Sequence, residues 1–144
     1  MDPSIAPPAT ANPPHVILAE DDNVLAELCQ RLLQKAGFSV VAVADGDELT
    51  QAIELKRPDL ILLDIMIPGM SGFDLLRMLK DHAWYKDIPV IMLSARGSER
   101  DQVQAFDFGA VDFLRKPFRF EDLVTRAKRA VASQRATAQD RGTP

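Results

Sequence analysis

A single cysteine among 144 residues rules out an internal disulfide framework. The chain is therefore not a small secreted domain held together by disulfide bonds, and one thiol suits a reducing compartment. Cys29 lies at helical spacing among Leu25, Leu28 and Leu32, which indicates a buried structural thiol rather than a reactive one. We expect a cytoplasmic protein.

The sequence also lacks long apolar runs and an excess of positive charge. No stretch approaches the roughly 20 apolar residues that a helix needs to span a bilayer. The start of the chain does not pair a basic region with an apolar stretch, as a secretory signal does. The net charge of -4 gives no reason to expect the basic face that nucleic-acid binding needs. We therefore expect no membrane association and no direct binding to nucleic acid.

Two kinds of apolar segment alternate along the middle of the chain. Short runs rich in branched residues predict strands buried on both faces, at 16–19, 38–43, 60–63, 90–93 and 111–115. The intervals show helical spacing, with Val103, Ala105 and Phe106 marking the fourth helix, and a fifth helix follows the last strand. Short connections and right-handed crossovers then predict an α/β fold, a doubly wound parallel sheet with helices on both faces.

The two ends of the chain differ from this middle part. Residues 1–14 contain five prolines and little that could be buried, so we predict a disordered leader. Residues 15–133 form the predicted domain. Residues 134–144 are polar, and we predict a tail or the start of a linker.

Polar side chains stand at the ends of four predicted strands: Glu20 and Asp21 after the first, Asp64 after the third, Ser94 at the fourth and Lys116 after the fifth. Ligands of such sheets gather at the carboxyl ends of the strands, so we predict that these residues meet at one edge. Clustered carboxylates repel one another unless a cation compensates. Oxygen ligands without histidine or cysteine favour Mg²⁺, or Mn²⁺, over zinc.

Asp64 is the residue that this arrangement favours as a nucleophile. A carboxylate that attacks a phosphoryl donor passes through a state with negative charge spread over the phosphoryl oxygens. The cation, the Lys116 ammonium and the Ser94 hydroxyl can each stabilise part of that charge. Because little acid–base chemistry is needed, we expect His15 and His82 to be surface residues rather than phosphate carriers.

The order and spacing of these residues resemble the receiver domains of two-component response regulators. The matching segments are ED at 20–21, DIMIPGMSG at 64–72, SA at 94–95 and KPF at 116–118. The similarity covers about residues 16–131. It implies a flavodoxin-like sheet with strand order 2-1-3-4-5, and phosphoryl transfer from a histidine kinase or a phosphotransfer protein. It also implies that the chain is not an enzyme, beyond catalysing its own phosphorylation and slow dephosphorylation.

The resemblance implies a role for each residue around the acceptor. Asp64 would be the phosphoacceptor, and Asp21 would bind Mg²⁺ directly. Glu20 would act on the ion mainly through water. The backbone carbonyl of Met66 would supply a further ligand.

The resemblance also implies a switch. Ser94 would move toward the phosphoryl oxygens, Lys116 would pair with the phosphoryl group, and the bond between Lys116 and Pro117 would be cis. Phe113 occupies the position of the switch aromatic and would turn into the space that Ser94 vacates. The face made by the fourth helix, the fifth strand and the fifth helix would then change its preference for a downstream effector or for a second copy of the chain.

In the family branch with winged-helix outputs, this face dimerises through acid–base pairs. Asp112 and Arg126 match that pattern. Val111, Gln102 and Asp122 stand where the branch often carries Asp, Arg and Glu. Because part of the ionic network is missing, we predict weaker or different self-association.

Two residues near the acceptor bear on the lifetime of the phosphorylated state. Met66 lies two residues after Asp64, and Arg96 lies two residues after Ser94. Hydrolysis needs a water placed in line with the phosphorus, and an apolar Met and a bulky Arg should hinder it. We predict a state that lasts minutes or more.

Three alternatives remain. A phosphohydrolase of the haloacid dehalogenase type needs a second Asp where this chain has Met66, and its nucleophile follows the first strand. A degenerate receiver, acting only as an interaction module, would usually lack an acidic residue, the acceptor or the lysine. The chain could also be the receiver portion of a longer multidomain regulator. The sequence identifies no cognate kinase, whose recognition we expect mainly through the first helix, around residues 23–33.

Overall fold

The computed structural model describes residues 13–95 and 97–142, and within them five strands alternate with five helices. The strands are β1 (His15–Ala19), β2 (Ser39–Val43), β3 (Leu60–Asp64), β4 (Val90–Ser94) and β5 (Asp112–Arg115). The helices are α1 (Asn23–Lys35), α2 (Gly46–Leu55), α3 (Gly72–Asp81), α4 (Glu99–Asp107) and α5 (Phe120–Gly142).

The strands form one parallel sheet in the order β2-β1-β3-β4-β5. The predicted fold class and strand order are therefore confirmed. The register pairs Asp64 with Leu93 and Ser94 with Arg115, so the carboxyl ends of β3, β4 and β5 finish at one edge. The direction of winding reverses between β1 and β3, which is where ligands bind in sheets of this kind.

The central strands are buried on both faces, as their continuous apolar runs predict. One face packs against α1 and α5 through Ala26, Cys29, Leu33, Leu123, Ala127 and Val131. The other face packs against α2, α3 and α4 through Leu49, Ile53, Leu75, Leu76, Leu79 and Ala105. Cys29 is 1% exposed and burial raises the pKa of its thiol to about 11, so the prediction of a buried structural thiol is confirmed.

Short polar side chains fix where the first four helices begin. Each accepts a hydrogen bond from a backbone N–H in the first helical turn, which satisfies a donor that has no partner within the helix. In α1 to α4 these capping residues are, in order, Asp22, Asp45, Ser71 and Ser98. The caps therefore start each helix close to a strand end, beside the loops that carry the candidate site.

Two helices show features that the sequence did not predict. Helix α5 continues to Gly142, into the segment 134–144 that we predicted as a polar tail or the start of a linker, because neither glycine nor proline interrupts it before that position. In α4, Ala105 is buried, but Val103 and Phe106 are 54% and 47% exposed. Helix α4 packs on the edge strand β5 through a narrow stripe, so most of its apolar side chains face outward.

The expectation that His15 lies at the surface is wrong. The residue is 5% exposed, because β1 lies between β2 and β3 and even its first side chain is enclosed. Its backbone N–H donates to Asp59 Oδ2 at 2.8 Å, and its Nδ1 lies 3.2 Å from the Ser39 hydroxyl oxygen. Burial lowers the pKa of His15.

The predicted disordered leader overlaps the described residues only at Pro13 and Pro14, so the prediction for residues 1–12 lies outside them. None of the helices within 13–95 and 97–142 combines the length and the apolar composition needed to cross a membrane.

Candidate functional site

The candidate site lies at the carboxyl edge of the sheet. Asp64 and Ser94 are the last residues of β3 and β4, and Glu20 directly follows β1. These three residues are 3%, 0% and 2% exposed. Lys116 follows β5, and its backbone N–H donates to the Ser94 carbonyl oxygen at 2.8 Å. The parallel sheet thus brings together four residues that are far apart in the sequence.

Lys116 links two buried carboxylates, and we call Lys116, Glu20 and Asp64 the Lys116 cluster. The ammonium donates to Glu20 Oε1 at 2.5 Å and to Asp64 Oδ2 at 2.9 Å. Burial lowers the pKa of Lys116, but the bonds to both carboxylates outweigh it and leave the pKa above its ordinary value. Burial raises the pKa of Glu20, although Lys116 opposes the shift. Lys116 therefore stays charged and bridges both acids.

Glu20, Asp21 and Asp64 form a group that could hold a cation. One carboxylate oxygen from each lies within 4.8 Å of the others, and Asp21 is the exposed member. A single Lys116 ammonium leaves this group of three carboxylates with excess negative charge, which favours a compensating cation. The donors are all oxygens, so the group fits a hard ion such as Mg²⁺.

The two oxygens of the Asp64 carboxylate have different partners. Oδ2 contacts the Lys116 ammonium, whereas Oδ1 accepts a hydrogen bond from the backbone N–H of Met66 at 3.0 Å. The Met66 residue itself is 56% exposed. The carboxylate is therefore held in one orientation before any ligand arrives.

Gly72 lies against the backbone of the site, although its residue type alone suggests no role. Its N–H donates to the Ile65 carbonyl oxygen at 2.8 Å, and the Ile65 N–H donates to the Leu93 carbonyl oxygen at 2.9 Å. The signal in the sequence is a glycine at the first position of a helix, directly after a capping serine. The contact between Lys116 and Glu20, by contrast, had no signal in the sequence, because spacing along the chain does not say which acid an ammonium reaches.

The predicted switch residues border the site on the β5 side. Phe113 is 8% exposed and pairs in register with Met92, on the face packed against α2, α3 and α4. The peptide bond between Lys116 and Pro117 is cis. Arg96, to which we assigned an effect on phosphoryl lifetime, lies outside the described residues.

A groove of about 460 Å³ opens beside Lys116, between α1 and the loop that joins β5 to α5. Its apolar lining includes Val24 and Leu28, which are 75% and 44% exposed, and Phe118. The groove gives a second molecule an apolar surface next to the acceptor.

A second ion-pair cluster lies on β5 and α5, and we call it the Arg126 cluster. Arg126 donates through Nη1 to Asp112 Oδ1 at 2.5 Å and through Nε to Asp122 Oδ1 at 2.9 Å. The side chains of Arg126, Asp112 and Asp122 are 31%, 23% and 43% exposed. Nearby, Val111 is 51% exposed. The cluster has one cation and two carboxylates, as the Lys116 cluster does, but it is open to solvent.

Comparison with known proteins gives a consistent result. The family model described as the response regulator receiver domain matches residues 16–128. The phosphate regulon transcriptional regulatory protein PhoB of Klebsiella pneumoniae is 41% identical over 113 residues, which cover 78% of this chain and 49% of that protein. The transcriptional regulatory protein CseB of Streptomyces avermitilis is 42% identical over 114 residues, which cover 79% of this chain and 47% of that protein.

Solved structures agree with the sequence comparison. The signal receiver domain of a signal transduction histidine kinase from Syntrophus aciditrophicus has a TM-score of 0.77 and 33% identity, and the match covers 83% of this chain and 91% of that one. The chain spans about half the length of the two curated relatives above.

Proposed function

The chain belongs to the response regulator receiver domain family, and on that premise we propose that it accepts a phosphoryl group on Asp64 from a histidine kinase or a phosphotransfer protein in the cytoplasm. The observation that carries the proposal is the contact of Lys116 with Asp64 Oδ2 at 2.9 Å, in a site where the acceptor is 3% exposed. An ammonium held there is ready to stabilise charge on a phosphoryl group.

The transfer is a displacement at phosphorus. An oxygen of the Asp64 carboxylate forms a bond to phosphorus while the bond from phosphorus to the donor's nitrogen or oxygen breaks, and the leaving group departs with the electron pair. The fixed hydrogen bond from the Met66 N–H orients the carboxylate for attack. Lys116 stabilises the negative charge on the phosphoryl oxygens, and Ser94 supplies a hydroxyl at the same edge.

Asp21, Asp64 and the Met66 backbone carbonyl would hold Mg²⁺, or Mn²⁺, with Glu20 acting mainly through water. When bound, this ion would neutralise part of the charge on the phosphoryl oxygens. The support is the set of three carboxylates within 4.8 Å, which carries only oxygen donors.

The output of the domain would be a change of its α4-β5-α5 face. Ser94 and Phe113 project from the same face of the sheet, because Met92 and Ser94 are two residues apart on β4 and Phe113 pairs with Met92. Movement of Ser94 toward a phosphoryl group would allow Phe113 to shift and would alter the surface that a downstream effector, or a second copy of the chain, contacts.

The groove between α1 and the β5–α5 loop supports docking of the phosphodonor protein. Its apolar lining reaches Lys116, so a partner seated there lies next to Asp64. We expect Leu28→Ser to slow phosphotransfer from the cognate kinase and to leave phosphorylation by acetyl phosphate unchanged. Equal slowing of both reactions would contradict docking at this groove. A panel of histidine kinases, compared by transfer rate, identifies the kinase to use.

The phosphorylated state would last minutes or more. Met66 is exposed beside the acceptor and offers no polar side-chain group to orient a hydrolytic water. We expect Met66→Asn to shorten the lifetime in the presence of Mg²⁺. Loss of the phosphoryl group from the unsubstituted protein within seconds would contradict the proposal.

Mass spectrometry of the intact protein tests the function. After incubation with acetyl phosphate and Mg²⁺, we expect the mass of one added phosphoryl group, none in Asp64→Asn, and a much slower reaction when a chelator removes the cation. Asp74→Asn, at an exposed carboxylate of α3, is the matched control and should be phosphorylated as the unsubstituted protein is. No added mass would indicate a degenerate receiver, and multiple turnover of a phosphate ester would indicate a phosphohydrolase.

A further inference from the structure

We propose that Gly72 is a positioning residue for phosphoryl transfer, because its lack of a side chain lets α3 begin directly against the backbone of Asp64. This inference rests on the proposed function of Asp64 as the acceptor. Gly72 has no side chain that could contact the phosphoryl group or the cation. It acts by fixing the place of the peptide group that carries the acceptor.

The space at Gly72 is closed by backbone atoms. A Cβ added there would lie 2.6 Å from the Asp64 carbonyl oxygen and 2.6 Å from Ile65 Cα. It would also lie 3.1 Å from the Asp64 carbonyl carbon. These atoms belong to β3 and the residue after it, so they cannot rotate away as the tip of a flexible side chain can. Any larger residue must push α3 and the end of β3 apart.

The reason for glycine at this position is space, not conformation. The glycines with positive φ among the described residues are Gly37, Gly69 and Gly109, and Gly72 is not one of them. An L-residue could therefore adopt the backbone conformation of Gly72 without strain. Only the close approach to Asp64 and Ile65 excludes a side chain.

Hydrogen bonds carry the position of Gly72 into the site. The Gly72 N–H donates to the Ile65 carbonyl oxygen at 2.8 Å, and the Ile65 N–H donates to the Leu93 carbonyl oxygen at 2.9 Å. The peptide groups on either side of Ile65 are thus fixed between α3 and β4. Asp64 lies immediately before them, with one carboxylate oxygen on Lys116 and the other on the Met66 N–H.

A methyl group at position 72 would therefore displace the acceptor. Ordinary contact requires roughly 1 Å more than the space available, and a displacement of that size in a reacting group can cost about 100-fold in rate. Depending on its direction, this displacement would lengthen either the contact between Asp64 and Lys116 or the hydrogen bond from the Met66 N–H to Asp64.

Gly46 provides a matched control. It is the first residue of α2 and follows a capping aspartate, as Gly72 is the first residue of α3 and follows a capping serine. Both glycines are buried. A Cβ at Gly46 would meet the Leu75 side chain at 3.5 Å, which is ordinary contact, and its three nearest atoms all belong to side chains.

The experiment compares Gly72→Ala and Gly46→Ala by intact mass during incubation with acetyl phosphate and Mg²⁺, at a temperature where each variant is folded. We expect Gly72→Ala to lower the phosphorylation rate at least ~10-fold and Gly46→Ala to change it by less than about twofold. In two-dimensional NMR spectra recorded without phosphodonor, the Met66 amide signal should shift in Gly72→Ala and stay in place in Gly46→Ala. A merely structural role of Gly72 would lower the melting temperature without moving the rate of the folded protein.

If Gly72→Ala does not fold, a second variant tests whether the start of α3 positions Asp64. Ser71→Ala removes the cap that the Asp74 N–H uses at 3.2 Å and loosens the start of α3 without adding atoms. We expect it to lower the rate about threefold.

A rate within about twofold of the unsubstituted protein in folded Gly72→Ala, or an unchanged rate in Ser71→Ala where Gly72→Ala is unfolded, overturns the inference. Failure of the unsubstituted protein to take a phosphoryl group would instead overturn the proposed function, and the Met66 amide signal would still report whether Gly72 fixes Asp64.

Discussion

The Lys116 cluster and the Arg126 cluster contain the same charges in different surroundings. Each has one cation between two carboxylates, with nitrogen–oxygen distances of 2.5 and 2.9 Å. In the Lys116 cluster the side chains of Glu20 and Asp64 are 1% and 5% exposed. In the Arg126 cluster the carboxylates are 23% and 43% exposed. Distance alone therefore does not distinguish the buried cluster from the exposed one.

The Lys116 cluster and the Arg126 cluster differ in how deeply their carboxylates are buried. Removing one partner from a buried ion pair leaves an uncompensated charge, whereas exposed pairs are screened by water and contribute little. With Asp21 beside it, the Lys116 cluster places three carboxylates near one ammonium, and this excess of negative charge favours a compensating cation. The side chains of the Arg126 cluster are partly exposed, so solvent screens their charges.

The largest effect is expected from Lys116→Met. Because the change leaves Glu20 and Asp64 buried without a cation, we expect the free energy of unfolding to fall by about 3 kcal/mol and the phosphorylation rate to fall about 100-fold. Urea denaturation in the presence of a chelator and intact-mass kinetics measure the two effects. Arg126→Met is the control, with a loss below about 1 kcal/mol. Equal losses in the two variants would remove the distinction between the clusters.

An intermediate effect is expected from pH at Glu20. Burial raises the pKa of this carboxyl above its ordinary 4.5, so the folded protein keeps the proton at pH values where the unfolded chain has lost it. The stability that this gives is complete below that pKa and is lost as the pH rises through the folded value. Without divalent cations, we expect the unsubstituted protein to lose stability relative to Glu20→Gln as the pH rises above 4.5, measured by urea denaturation. A gain in stability of the unsubstituted protein relative to Glu20→Gln as the pH rises would contradict this prediction.

The smallest effect is expected at the Arg126 cluster. A double-mutant cycle with Arg126→Gln and Asp112→Asn should give a coupling energy below about 1 kcal/mol, and high salt should reduce it further. A coupling above about 2 kcal/mol would show that exposure does not separate the two clusters. Arg126 already bonds two carboxylates of its own chain, which supports our proposal of weaker or different self-association through this face.

Much of the fold follows from the sequence because apolar periodicity reports burial directly. Leu60 to Leu63 form a continuous apolar run, and that run is a strand covered by helices on both faces. Once strands and helices alternate, parallel pairing places Asp64, Ser94 and Lys116 at one edge of the sheet. The residue types at that edge then predict the chemistry.

Other features could not be predicted, because they depend on which surfaces meet in three dimensions. His15 is polar and begins a strand, yet the neighbouring strands enclose it. Val103 and Phe106 are apolar, yet α4 packs along a stripe that leaves them outside. The pairing of Lys116 with Glu20 and the contact of Gly72 with Asp64 join residues from different elements. No spacing within one element encodes either contact.

The most direct test of the account locates the phosphoryl group itself. Borohydride reduces an aspartyl phosphate to homoserine, so peptide mass spectrometry after phosphorylation and reduction identifies the modified residue. We expect homoserine at position 64 and at no other acidic residue of this edge of the sheet. Homoserine at position 20 or 21, or none in a protein that gains the mass of a phosphoryl group, would contradict it.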